Sequence, residues 1–143
     1  MKDTKTILST LWIFVTANYI YCDVFSNMDS TVLKELLTGT VGSLKITQGF
    51  LLGAAVMMEI PMLMIVLSRF LGYAVSRPAN IIAGSLMILI QLGSLFVGTA
   101  PTMHYVFFSI VEILGDALIV VAALRWGKAG TVAAEVAVTQ KQH

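Results

Sequence analysis

The stretch FFSIVEILGDALIVVAALRW, residues 107–126, is apolar enough to cross a membrane, yet it carries Glu112 and Asp116 one helical turn apart near its middle. At ~1.5 Å of rise per residue, about 20 helical residues span a hydrocarbon core of ~30 Å. Residues four apart share a helix face, so both acids point the same way. No Lys or Arg stands beside them; the first is Arg125, at the end of the stretch. Lipid accepts the apolar faces of such a helix and rejects its charges, so the acids turn toward other helices. This segment therefore predicts a membrane helix that contributes to a polar interior.

Working outward, three further apolar runs accompany it. The predicted spans are residues 7–25, 46–70, 79–98 and 103–125, followed by a tail over 127–143. The third is the shortest, and Asn80 and Thr99 are placed in the interface. The composition agrees: 57% of the 143 residues are hydrophobic and 12% are charged, against roughly 25% charged in soluble domains. Mean hydropathy is +0.87. The first run lacks an A-x-A-like exit and continues into NYIYCDVF, so it is read as a retained helix and not a cleaved leader.

Short connections, GYAVSRPAN and GTAPTM, force neighbouring spans to be antiparallel. Pro78 is taken to mark the start of the third span. The expectation is a single all-α domain, an up-down-up-down four-helix bundle. The first loop is longer; Asp29 or Ser30 can cap a short amphipathic helix through TVLKELL that Gly39 ends. That segment is expected to lie on the outer membrane surface. With the N-terminus inside, Lys2, Lys5, Arg69, Arg77, Arg125, Lys128 and Lys141 face the cytoplasm, and only Lys34 and Lys45 lie outside. Both termini are thus expected in the cytoplasm. Gly49 with Gly53, and Ser94 with Gly98, offer close helix approach within the bundle or across a homodimer.

Spacings of three and four give one polar stripe per span: Trp12, Thr16, Tyr19 and Asp23; Gln48, Ala55 and Glu59; Asn80, Gly84, Met87, Gln91 and Ser94; Tyr105, Ser109, Glu112 and Asp116. All four stripes are expected to face inward. By depth, Glu59, Glu112 and Asp116 form a midplane cluster beneath an outer vestibule of Asp23, Tyr19, Gln91 and Tyr105. An ionised Asp at a helix centre costs ~2.5–3.5 kcal/mol even on the lenient insertion scale. The acids therefore hold protons or meet a cation the chain does not encode. As packing glue, each would hydrogen-bond Gln91, Asn18 or Ser109 for about 0.6 kcal/mol, a small return for several buried acids.

What the sequence lacks is also informative. The net charge of +1 and the absence of a basic patch argue against a nucleic-acid partner. Cys22 is the sole cysteine, so no internal disulfide forms. No metal, nucleotide or serine-hydrolase motif is present, and no cofactor is implied. The functional expectation is a protein that binds or translocates a proton or a lipophilic, cationic small molecule. The alternatives are a membrane enzyme or redox accessory for a quinone- or isoprenoid-like substrate, and a structural membrane subunit.

Residues 11–29, LWIFVTANYIYCDVFSNMD, followed by L-K-E-L-L-T-G, resemble a family of small bacterial four-helix membrane proteins with no assigned function. The resemblance spans residues 8–126. It implies a bacterial inner-membrane location, and it implies that Asn18, Tyr19, Tyr21, Asp23 and Asp29 belong to a family signature. More loosely, the architecture is similar to DoxX-like proteins and to the sterol-isomerase and sigma-2-receptor bundles, which hold cationic species with intramembrane acids and aromatics. That likeness rests on helix count and buried acids. Small multidrug exporters also have four helices and a membrane Glu, but the first span here lacks that Glu.

Overall fold

The computed structural model describes residues 3–97 and 100–127. The expected tail, apart from Gly127, and the Gly98 of the second small-residue pair lie outside the described residues. The elements are α1 (Thr4–Met28), α2 (Ser30–Leu37), β1 (Thr40–Val41), β2 (Leu44–Lys45), α3 (Gln48–Phe70), α4 (Tyr73–Ser94) and α5 (Met103–Arg125). Helices α1, α3, α4 and α5 are each long and apolar enough to cross a membrane. Their up-down-up-down order makes the chain an all-α, multi-pass membrane bundle.

Local chemistry sets the helix ends. Asp29 ends α1 and caps α2, accepting the Thr31 and Val32 N–H groups on one carboxylate oxygen at 2.8 and 3.4 Å. Gly39, at φ 75°, then turns the chain. The expected amphipathic helix is present, and a small hairpin follows it: Thr40 pairs with Lys45 and Val41 with Leu44. Its two-residue turn starts at Gly42, whose φ of 55° suits glycine. Thr47 caps α3 by accepting the Phe50 N–H at 3.1 Å.

The third span begins at Tyr73, earlier than residue 79, and Pro78 lies inside it. Contacts with the end of α5 hold this early start in place. Arg77 donates to the Ala123 and Leu124 carbonyls at 3.2 and 3.4 Å, and the Tyr73 hydroxyl donates to the Trp126 carbonyl at 3.1 Å. These bonds add side-chain donors to the last carbonyls of α5, of which Ala123 also accepts the Trp126 N–H, and put a positive charge where the helix dipole favours one. The longer helix carries Asn80 into the bundle, where it is fully buried.

α1 packs along α5 and α3, and α5 packs along α4, while the α3–α4 edge is the thinnest. Leu8, Trp12, Val15, Met64, Met87 and Ile119 form the apolar core. Close approach depends on glycines other than those expected. A Cβ on Gly115 would stand 2.6 Å from Val15 Cγ2 on α1, and one on Gly84 would stand 2.9 Å from Val120 Cγ2 on α5. A Cβ on Gly53 would meet nothing within 4 Å, and one on Gly49 only Thr47 of its own cap. The Gly49–Gly53 pair therefore makes no close helix contact among the described residues.

Candidate functional site

Three of the four polar stripes turn inward. On α1, Trp12, Thr16 and Tyr19 are buried; on α4, Asn80, Gly84, Met87 and Gln91; on α5, Ser109, Glu112 and Asp116. Ser94 and Tyr105 are half-buried at the end of the bundle nearest the hairpin. Gly115, immediately before Asp116, lets α1 come close enough for the Tyr19 hydroxyl to donate to Asp116 Oδ2 at 2.8 Å.

From that end a polar column descends toward the acids. Tyr105 donates to Ser94 Oγ at 2.7 Å, and Ser94 donates to the main-chain carbonyl of Gln91 at 2.7 Å. The Gln91 amide donates to Ser109 Oγ at 2.7 Å, and Ser109 in turn donates to the Tyr105 carbonyl at 2.7 Å. Glu112 follows Ser109 by one turn, and Asp116 follows Glu112 by another. Above the column lies a cavity of about 190 Å³, lined by Ser26, Val32, Val41, Ser94, Val97, Ala100, Pro101, Thr102 and Tyr105. Helix α2 and the hairpin thus supply part of its wall.

The column stops short of satisfying the acids. Glu112 is 1% exposed and Asp116 fully buried, and both Glu112 carboxylate oxygens, Asp116 Oδ1 and the Thr16 hydroxyl have no hydrogen-bond partner among the described residues. Leaving a buried polar group unpaired costs ~1–3 kcal/mol, more if it is charged. Two donors considered for the acids bond elsewhere, Gln91 to Ser109 and Asn18 to the Phe14 carbonyl of its own helix at 2.8 Å, while the buried Thr16 hydroxyl bonds to none of the described residues. Among the described residues, no three His, Cys, Asp or Glu side chains gather as a metal site.

Two candidate residues fall elsewhere. Glu59 does not join the acid pair: the α3 stripe of Gln48, Ala55 and Glu59 is exposed, and α3 buries Pro61, Met64 and Ser68 instead. Sharing a face with other polar residues did not make that face the packed one, because α3 is nearly uniformly apolar and gives little directional signal. Asp23 is exposed one turn beyond Tyr19 and is not among the residues lining the cavity. Tyr19, Gln91, Glu112 and Asp116 do come together along one interior column, with Tyr105 at its mouth.

A second buried network was not foreseen as a unit. Asn80 Oδ1 accepts from the Trp12 indole at 2.7 Å and from Ser68 at 3.0 Å, while its amide donates to the Ser76 carbonyl at 2.7 Å. It joins α1, α3 and α4 below the acids and is saturated, as structural networks are. Trp12 and Asn80 were each legible as inward residues; the two serines carried no signal.

An all-helical bundle with a polar interior column and an orphaned acid pair defines the class: a multi-pass α-helical membrane protein with ionisable groups inside its spans. The chain belongs to DUF6326, a family of unknown function, whose pattern matches residues 1–133. No curated protein and no solved structure matches the chain. The match establishes the uncharacterised family and does not extend to DoxX-like proteins.

Proposed function

We propose that this membrane protein takes up a positive charge, as a proton or a lipophilic organic cation, at the Glu112–Asp116 pair and exchanges it through the cavity at the hairpin end. The observation that carries the reading is the orphaned acceptor set: three carboxylate oxygens buried in the spans with no hydrogen-bond partner among the described residues. Glue between helices would pair them; a site that must accept and release a cation leaves its acceptors free. The hydroxyls of Tyr105, Ser94 and Ser109 and the Gln91 amide support a route as a polar lining between the cavity and the acids, each hydroxyl able both to accept and to donate.

The distribution of basic residues supports an inner-membrane topology with both termini in the cytoplasm. Lys5, Arg69, Arg77 and Arg125 lie at the end away from the hairpin, and Lys34 and Lys45 at the hairpin end. In that orientation the cavity opens outward and the acid pair lies at the middle of the bilayer.

The test is binding of tetraphenylphosphonium, together with dye-reported proton flux in proteoliposomes, for the wild type, Glu112→Gln and Asp116→Asn. The wild type binds the cation or passes protons, and each amide variant loses that property while remaining folded by circular dichroism. Indistinguishable behaviour of all three proteins in both assays would refute the reading.

A further inference from the structure

Among the described residues, the buried side-chain polar atoms without a partner are all oxygens, and they lie on two packed helices: Thr16 Oγ1 on α1, and Glu112 Oε1, Glu112 Oε2 and Asp116 Oδ1 on α5. The Thr16 hydroxyl is an observation separate from the acids. A Ser or Thr hydroxyl within a helix commonly turns back to the carbonyl four residues earlier, as Thr10 does to Thr6 at 2.8 Å and Ser109 to Tyr105 at 2.7 Å. Thr16 is 6% exposed and makes no such bond to Trp12. Its place on α1 sets the direction it faces. Trp12, one turn before it, reaches Asn80 on α4, and Tyr19, one turn after it, reaches Asp116 on α5. Its neighbour Val15 is what a Cβ on Gly115 would strike, and a Cβ on Gly84 of α4 would stand 3.4 Å from the Asp116 main-chain oxygen. Thr16 therefore faces the interior between α1, α4 and α5 at the level of Asp116.

We infer that Thr16 Oγ1, Asp116 Oδ1 and the Glu112 carboxylate hold one alkali cation of sodium size. The inference rests on the reading of the acid pair as a site of cation uptake, and it names an inorganic occupant and a third residue for that site. A proton shared by the acids has no use for another oxygen on the opposite helix; a metal ion does. Donor type selects the class of ion, since carboxylate and hydroxyl oxygens suit hard cations, whereas imidazole and thiolate select transition metals. Ligand number selects the charge. Calcium takes about six to eight oxygens, and magnesium demands an octahedral shell and keeps several waters; the orphaned set here is four oxygens on buried helix faces. Charge balance agrees. Two protonated acids are neutral, and a monovalent ion that displaces one proton leaves the site neutral, as a low-dielectric interior requires. Tyr19 holds the other Asp116 oxygen and so fixes how that carboxyl is turned.

The test is thermal unfolding of the detergent-purified protein in sodium chloride against choline chloride at constant ionic strength, with proton release on salt addition followed in weak buffer. The wild type should unfold at a higher temperature in sodium and should release protons to sodium but not to choline. Thr16→Ser keeps the oxygen and should keep both effects. Thr16→Val keeps the shape, loses an oxygen without a hydrogen-bond partner among the described residues, and should raise the half-saturating sodium concentration about tenfold. Thr16→Ala makes the same comparison if the valine methyl is not accommodated, and Glu112→Gln should abolish the sodium effect. The readout is the difference between the two salts, which a packing role for Thr16 would not move. Equal behaviour in both salts, in a wild type that binds tetraphenylphosphonium or passes protons, would overturn this inference and leave the acid pair as a cation site. A sodium effect undiminished in Thr16→Val or Thr16→Ala would also overturn it. No response to sodium, tetraphenylphosphonium or a proton gradient would overturn both readings.

Discussion

The Tyr19 hydroxyl on α1 donates to Asp116 Oδ2 on α5 across 2.8 Å, the direct side-chain bond between the first span and the acid pair. It fixes one Asp116 oxygen and leaves the other, with both oxygens of Glu112, open. Tyr19→Phe removes the donor and nothing else from a buried site. The expected loss is about 1 kcal/mol of stability, within the range of membrane hydrogen bonds, read by unfolding in mixed micelles. Asp116→Asn keeps an acceptor for Tyr19 and should be close to neutral in the same measurement.

Asn80 offers a sharper stability test because it serves three elements at once. Asn80→Leu leaves the Trp12 indole N–H and the Ser68 hydroxyl without their acceptor. Unpaired buried donors cost ~1–3 kcal/mol, so this variant should be destabilised more than Tyr19→Phe. Trp12 fluorescence should change with it, while the cation and proton assays of the acid pair should keep their wild-type pattern in whatever fraction remains folded.

Gly115 sets the distance between α1 and the acid-bearing helix. Gly115→Ala places a methyl group 2.6 Å from Val15 Cγ2, and such overpacking costs ~1–3 kcal/mol. Val15→Ala should restore much of that loss in the double variant, because it removes the atom in the way. A double variant as unstable as the sum of the two singles would show that the contact is not the cause.

Much of this architecture was legible in the sequence. Four apolar runs, a long first loop and short later ones sufficed for the bundle order, and acids within an apolar run sufficed to place Glu112 and Asp116 inside. Periodicity assigned residues to shared faces on every helix, but it does not say which face is packed. On α1, α4 and α5 the polar face was the packed one; on α3, where Gly, Leu, Val and Met surround the whole helix, Glu59 turned out to face away. The hairpin had a local signal that went unused, a Gly-Ser pair between Thr-Val and Leu-Lys. In the Asn80 network Trp12 and Asn80 were legible as inward residues, but Ser68 and Ser76 carried no signal, because Ser68 joins Asn80 only once α3 packs on α4. Close-packing glycines were sought by motif, whereas Gly84 and Gly115 are single residues identified only by what their missing Cβ would strike.

Asp29 supplies the pH dependence outside the membrane spans. The Thr31 and Val32 N–H groups donate to it, which holds its carboxyl below the usual carboxylate range. The folded form of α2 therefore favours the ionised acid. Its contribution is fully present above the unfolded carboxylate pKa of ~3.9 and is lost as pH falls through the lower folded value. Amide hydrogen exchange at Thr31 and Val32 should show α2 protected at neutral pH and opening in acid, after correction for intrinsic rates. Asp29→Ala should fray α2 at every pH, and Asp29→Asn should remove most of the pH dependence while keeping a cap.

The acid pair is proposed to exchange one positive charge for another. The most direct measurement is proton release during tetraphenylphosphonium binding, followed by a pH indicator in weakly buffered detergent solution with the wild type, Glu112→Gln and Asp116→Asn. The account predicts that the wild type expels protons as the cation enters and that neither amide variant does. Cation binding that releases no protons and is equally strong in all three proteins would contradict it.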